Sequence, residues 1–201
     1  MIPRLVVFDV DGTLVDSQAE ILNAMRGAFF AEALSPPEAG QILSIVGLSL
    51  DRAMEVLLPF GQDAQRQRLV AAYKGEFQKA RQTHGAGMSP LYPGAREVLN
   101  ELSSRDDVLL GIATGKSRRG LDALLEAHEL KSFFATEQVA DHHPSKPHPS
   151  MLLACLDETG VEARHAAMVG DTSFDMEMAA SAGFRVIGGW WGYHTTERLR
   201  P

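Results

Sequence analysis

Two aspartates one residue apart, Asp9 and Asp11, follow the apolar run Leu5-Val6-Val7 and lead directly into Gly12-Thr13. On an extended backbone residues i and i+2 point to the same face, so the two carboxylates project together and Val10 turns away. Carboxylates held close repel unless one is protonated or a cation sits between them. Gly12 allows a sharp turn just beyond them. Such acid at the end of an apolar strand builds a core badly and a site well.

Three further segments carry matching chemistry. Thr114-Gly115-Lys116 follows VLLGIA, Lys146 lies in PSKPHP, and GDTSFD (Gly170 to Asp175) follows AAMV. Together they supply carboxylates, a hydroxyl, turn amides and an ammonium, an inventory suited to a divalent cation and a phosphate. With Asp9, Asp171 and Asp175 ionised and Asp11 protonated, three negative charges meet one Mg²⁺ and Lys146, and the site is near neutral. A phosphate dianion can enter such a site, whereas without the cation it meets repulsion at short range. All-oxygen ligands favour Mg²⁺ over zinc. The histidines (84, 128, 142, 143, 148, 165 and 194) form no zinc-like pairing.

These segments need elements to position them. LVVFDV (5–10), VLLGIAT (108–114), AAMVGD (166–171) and the shorter FRVIGG (184–189) read as buried strands. Near-continuous apolar strands separated by helices indicate a parallel sheet covered on both faces. Ala95–Leu102, Arg118–His128, Pro149–Glu158 and Phe174–Ala182 carry helical apolar spacing. The alternation predicts an α/β fold, a doubly wound, Rossmann-like parallel sheet, in which ligands bind beyond the carboxyl ends of the strands. All four polar segments fall at or near such ends.

From Ser17 to Ser89 the rhythm breaks. Ala19–Glu32, Leu50–Leu58 and Ala64–Thr83 read as amphipathic helices, punctuated by Pro36-Pro37, Pro59 and Gly61. This block is too long for one crossover and reads as an inserted helical cap domain (17–89), with the α/β core in 1–16 and 90–201. GAGMSPLYPG (85–94) is its expected return linker. IVGLSL (45–50) is the candidate cap segment near the site.

The chain has 201 residues, a net charge of −7 and 45% hydrophobic residues. It is large enough to bury a substantial core. Its acidity excludes a general nucleic-acid binder. One cysteine, Cys155, precludes an internal disulfide and fits a reducing compartment; in its apolar run it reads as an inert buried thiol. No apolar run reaches the ~20 residues of a membrane span. Acid arrives too early for a secretory signal, so a cytoplasmic protein without membrane association is expected.

Taken together and in this order, FDVDGTLVDS, ATGK, SKPHP and GDTSFD resemble the motifs of the haloacid dehalogenase-like hydrolase superfamily, in the group with a helical cap after the first motif. The wording is most similar to the phosphoglycolate phosphatase-type subgroup. The resemblance implies that Asp9 is the nucleophile, Asp11 the general acid and base, and Lys146 the neutralising cation. It implies that Thr13 fixes the motif loop at the phosphate site, and that Thr114 and amides near Gly115 hold phosphate oxygens. Mg²⁺ is implied on Asp9, the Asp11 carbonyl and Asp171, with Asp175 acting through water or orienting Lys146. A halide leaves without a proton but an alkoxide needs one, so Asp11 favours a phosphatase or phosphomutase over a dehalogenase. The expected function is a Mg²⁺-dependent phosphatase forming an aspartyl-phosphate on a small phosphorylated metabolite. A phosphomutase, a pyrophosphatase and an inactive binding module stand as alternatives.

Outside the motifs the residues read more plainly. Asp16 and Ser17 begin the first cap helix, Lys116 is assigned to solvent with an anion as its alternative partner, and Arg118 and Arg119 are assigned to solvent. His142-His143 fall in an irregular loop, and Trp190-Trp191 serve packing or association. Relatives of this type continue past the last strand, so a truncated or shorter tail is expected, with one sheet edge open or covered by a partner. The protein is expected as a monomer or homodimer.

Overall fold

The computed structural model describes residues 2–84 and 89–200. Its centre is a parallel sheet of β1 (Arg4–Phe8), β2 (Val108–Thr114), β3 (Thr136–Val139), β4 (Ala166–Gly170) and β5 (Arg185–Gly188), in the spatial order β3-β2-β1-β4-β5. The helices α5 (Ala95–Ser103), α6 (Arg118–Ala127), α7 (Ser150–Thr159) and α8 (Ser173–Ser181) connect them. The order reverses at β1, where β2 and β4 flank the same strand, the usual place for a ligand cleft. The fold is the expected α/β doubly wound parallel sheet.

Alternation along β1 separates two cores. Leu5 and Val7 face Met151, Leu152 and Cys155 of α7 and Met178 of α8. Phe8 and Val10 face Leu99 of α5 and Leu121, Leu124 and Leu125 of α6. Helical caps pin the ends. Ser117 Oγ accepts from Gly120 N ahead of α6, and Gly160 stops α7 at φ 68°. Cys155 is fully buried and burial pushes its thiol up to about 12, which leaves it inert as expected.

The sequence reading missed β3. This four-residue strand, Thr-Glu-Gln-Val, lies at a sheet edge and carries no apolar run. Its polar side chains belong to a hydrogen-bond chain: Thr136 donates to Glu158, Gln138 donates to Thr136, and His143 bridges Gln138 and Ser150. His143 is therefore anchored, and Arg118 likewise bonds Glu137 and Asp122 instead of lying free in solvent. The first strand ends at Phe8, two residues early, because the chain turns at once. The amides of Thr13 and Leu14 both return to Val10 O. At the opposite edge, β5 exposes Val186 and Ile187.

Between β1 and β2 lie α1 (Gln18–Ala31), α2 (Ala39–Leu43), α3 (Leu50–Leu57) and α4 (Asp63–His84). The five-residue α2 was not foreseen; Pro36, Pro37 and Gly40 hide so short a helix. These helices share their own apolar cluster, including Ile21, Met25, Phe29, Met54 and Leu69, with Phe174 and Tyr193 packing against it from outside the segment. Of the expected return linker, residues 85–88 lie outside the described residues. Beyond them Asp16 N donates to Pro90 O and Tyr92 N to Leu14 O, which ties the returning chain to the departing one.

Candidate active site

Asp9 comes immediately after β1, where its amide donates to Val169 O of β4 at 2.9 Å. The side chain is buried, and among the described residues neither carboxylate oxygen accepts a well-aligned hydrogen bond. Lys146 Nζ stands 3.0 Å from Asp9 Oδ1 as an ion pair, and directs its hydrogen bond to Asp175 Oδ1 at 2.7 Å. Lys146 is itself fully buried on the loop before α7. Burial alone would lower its pKa, but the charges of Asp175 and Asp9 outweigh that effect and hold it above the usual lysine value.

The acid segment after β4 is organised by a helix start. Thr172 caps α8: its Oγ1 accepts from Asp175 N, while the Asp175 carboxylate accepts from Thr172 N and Oγ1. Asp175 thus has both oxygens engaged, one on the cap and one on Lys146. Asp171 accepts from Thr13 Oγ1 and from Tyr193 N, each at 2.8 Å. Thr13 therefore directs its hydroxyl to Asp171. Gly12 adopts φ +84°, and a Cβ there would overlap the Asp171 carboxylate, so the turn needs glycine on both counts.

Oxygens of Asp9, Asp171 and Asp175 lie within 4.8 Å of one another, all three residues being buried. Three carboxylates face one ammonium, and among the described residues the two oxygens of Asp9 accept no well-aligned hydrogen bond. That surplus of hard, buried oxygen suits Mg²⁺. Without a metal, burial first and then the charges of Asp175 and Asp11 push Asp9 up to about 7, although Lys146 and the Val10 amide pull it down. Burial, followed by Asp175 and Asp9, likewise holds Asp171 well above the ordinary carboxylate range.

These shifts give a stability prediction. Raised native pKa values mean that the folded chain binds more protons than the unfolded one. Metal-free stability then falls as pH climbs through the window from 3.8 to about 7. Mg²⁺ is expected to add about 2–3 kcal/mol at a hundredfold excess over its Kd. Thermal unfolding with and without Mg²⁺ should show a larger stabilisation at about pH 7.5 than at about pH 5, because at the lower pH protons compete for the same oxygens. Equal stabilisation at both pH values would count against this metal site.

Asp11 belongs to a different group. Its carboxylate receives Lys116 Nζ at 2.6 and 2.7 Å and Ser17 Oγ at 2.5 Å. Asp9 and Asp11 share no strand face, since the strand has already ended, but Val10 does turn into the core as expected. For Lys116 the solvent reading gives way to its alternative, an anion: the side chain is only 13% exposed, pairs with Asp11, and lies with its ammonium 5.8 Å from the Phe77 ring centroid of α4. Sequence distance concealed the pairing, because 105 residues separate Lys116 from Asp11. Ser17 does precede α1, yet its hydroxyl goes to Asp11 and provides no helix cap.

Thr114 and Gly115 stand at the carboxyl end of β2. Thr114 is buried and its Oγ1 accepts from Lys116 N. Gly115 faces the carbonyls of Gly47 and Leu48, so any side chain there would strike helical-segment backbone. The segment 45–50 thus does meet the core, and Ser49 N donates to Ser145 Oγ at 2.8 Å, one residue before Lys146.

Of the residues after β5, the sequence reading gave only Trp190-Trp191 a role, packing or association, and did not connect this segment to the site. Trp191 Nε1 donates to Thr13 O, and Tyr193 N to Asp171. The Tyr193 hydroxyl meets both Ser17 N and Ser17 Oγ at 3.0 Å. A Cβ at Gly192 would overlap Asp171. His194 accepts from Ser173 N at Nδ1 and donates from Nε2 to Ser44 O, the neutral tautomer that its burial favours. Residues 191–194 form a strap across the site. Aromatic and glycine content immediately after a final strand was the available signal.

Residues 6–188 match the haloacid dehalogenase-like hydrolase family. Over 98% of this chain and 85% of the relative, the sequence is 36% identical to "Probable phosphatase IndB" of Dickeya dadantii. It is 31% identical to a phosphoglycolate phosphatase of Rhodospirillum rubrum, over 95% of this chain and 81% of that one. A solved haloacid dehalogenase-like family hydrolase from Streptococcus pneumoniae superposes with a TM-score of 0.83 at 26% identity, covering 98% of this chain and 89% of that one. No helix among the described residues is long and apolar enough to cross a membrane. On the extent of these matches, together with the ordered motifs and the sheet they occupy, the chain belongs to the haloacid dehalogenase-like hydrolases.

Proposed function

We propose that the protein is a phosphatase that uses Mg²⁺ to hydrolyse a small phosphorylated metabolite through an aspartyl-phosphate on Asp9. The observation that carries this reading is the Asp9 carboxylate, buried at the end of β1 with the Lys146 ammonium 3.0 Å from one oxygen and the carboxylates of Asp171 and Asp175 beside it. A carboxylate so disposed is a competent nucleophile. Asp9 and Asp171 would hold the metal, with the Asp11 carbonyl. When bound, Mg²⁺ supplies charge neutralisation for the transferring phosphoryl group.

The remaining steps fall to side chains. An Asp9 oxygen forms a bond to phosphorus as the bond to the leaving oxygen breaks, and Asp11, in its protonated form, gives its proton to that oxygen and becomes the carboxylate. Water then attacks phosphorus, Asp11 takes its proton, and the Asp9–phosphorus bond breaks to release phosphate. Lys146 offsets the negative charge on Asp9 and on the phosphoryl group, and Asp175 fixes the lysine. Thr114 and amides near Gly115 would receive the non-bridging oxygens. Residues 17–89 would act as the cap, with Gly47 and Leu48 closing over the β2 end.

The test is phosphate release from a panel of phosphorylated metabolites, with and without Mg²⁺. Phosphoglycolate belongs first on that panel because relatives bear that name. Sugar phosphates, nucleoside monophosphates and pyrophosphate complete it. Mg²⁺-dependent turnover of a monoester is the expected result, and activity indifferent to chelator would overturn the reading.

A further inference from the structure

We propose that Tyr193 is a positioning residue for Asp11, acting through Ser17 to fix the orientation of that carboxyl group. The inference rests on the reading of Asp11 as the general acid.

The hydrogen-bond directions follow from counting protons. Ser17 Oγ has one proton and gives it to Asp11 Oδ1 at 2.5 Å. Toward Tyr193 it can therefore only accept, so the phenol donates to Ser17 Oγ across 3.0 Å. Ser17 N–H donates back to the phenolic oxygen at 3.0 Å. This small ring fixes the Ser17 rotamer, and the serine in turn fixes one oxygen of Asp11. Ser17 is fully buried, so water offers it no alternative partner. Lys116 grips both Asp11 oxygens, but its flexible stem can move where the ring cannot.

Tyr193 also reaches the metal side. Its amide donates to Asp171 Oδ2 at 2.8 Å, while its ring packs on the helical cluster with Phe174. One residue therefore spans the proton-transfer group, the acid cluster and the helical insertion. Loss of the hydroxyl leaves the amide bond and the ring in place, so its contribution can be isolated.

The experiment compares kcat/KM for an alkyl phosphate and for p-nitrophenyl phosphate in wild type, Tyr193→Phe, Ser17→Ala, the double variant and Asp11→Asn. This constant reports steps through departure of the leaving group, and an alkoxide needs the acid far more than p-nitrophenolate does. The alkyl-to-aryl ratio is expected to fall about 10-fold in Tyr193→Phe, with a similar fall in Ser17→Ala. The double variant should fall no further, because the two act in series. An unchanged ratio in Tyr193→Phe and Ser17→Ala, or fully additive losses, would overturn the proposal. Asp11→Asn separates the failures. If its ratio collapses while the others hold, only the positioning role is wrong; if its ratio also holds, Asp11 is not the acid and both readings fall.

Discussion

Exchange of Asp9 for asparagine is expected to cut phosphate release by at least about 10⁴-fold while leaving metal-free stability undiminished. The amide keeps the size of the side chain but cannot form the phosphoryl ester. It also removes an anion from a place where burial has driven the pKa up to about 7. Relief of a desolvated charge that shares Lys146 with Asp175 offsets whatever the ion pair contributed. Steady-state turnover and thermal unfolding in chelator, measured on the same preparation, check both halves. A fully active variant would remove Asp9 from the chemistry, and a large loss of stability would mean that the Lys146 pair outweighs its desolvation.

Lys146→Met should behave in the opposite way on stability. The lysine is buried and sits between Asp9 and Asp175 at 3.0 and 2.7 Å. Methionine matches much of its length and none of its charge. Two buried carboxylates then face each other and Asp171 without an ammonium, a loss expected to cost about 3–5 kcal/mol. Activity should fall by at least about 10²-fold, because the charge that balances the phosphoryl group is gone. Saturating Mg²⁺ should restore part of the stability and little of the rate, and denaturant unfolding with and without the metal reads that difference. Recovery of full activity in metal would mean that the lysine is structural alone.

The contrast explains why much of this site was legible in sequence. Asp9, Asp171 and Asp175 follow buried strands or open a helix, and strand ends in a parallel sheet converge by topology. Apolar runs at 108–114 and 166–171 announce that sheet. What escaped has a physical cause in each instance. The β3 strand is an edge element whose polar residues satisfy one another, so periodicity had nothing to report. Lys116 and Ser17 look like ordinary surface and helix-start residues until the fold brings Asp11 between them. The aromatic strap after β5 offers suitable residue types, but no spacing rule states which carbonyl Trp191 finds or which serine Tyr193 meets.

That strap has a consequence for biosynthesis. During translation Asp9 emerges first and Tyr193 more than 180 residues later. A nascent chain ending at Gly188 would contain every one of the four motifs and all five strands. It would still leave the Thr13 carbonyl, the Ser17 amide and one Asp171 oxygen without the partners that residues 191–193 provide. The partners of Thr13, Ser17 and Asp171 therefore arrive only with residues 191–193, and a chain halted at Gly188 holds an acidic cluster that the strap has not yet pinned.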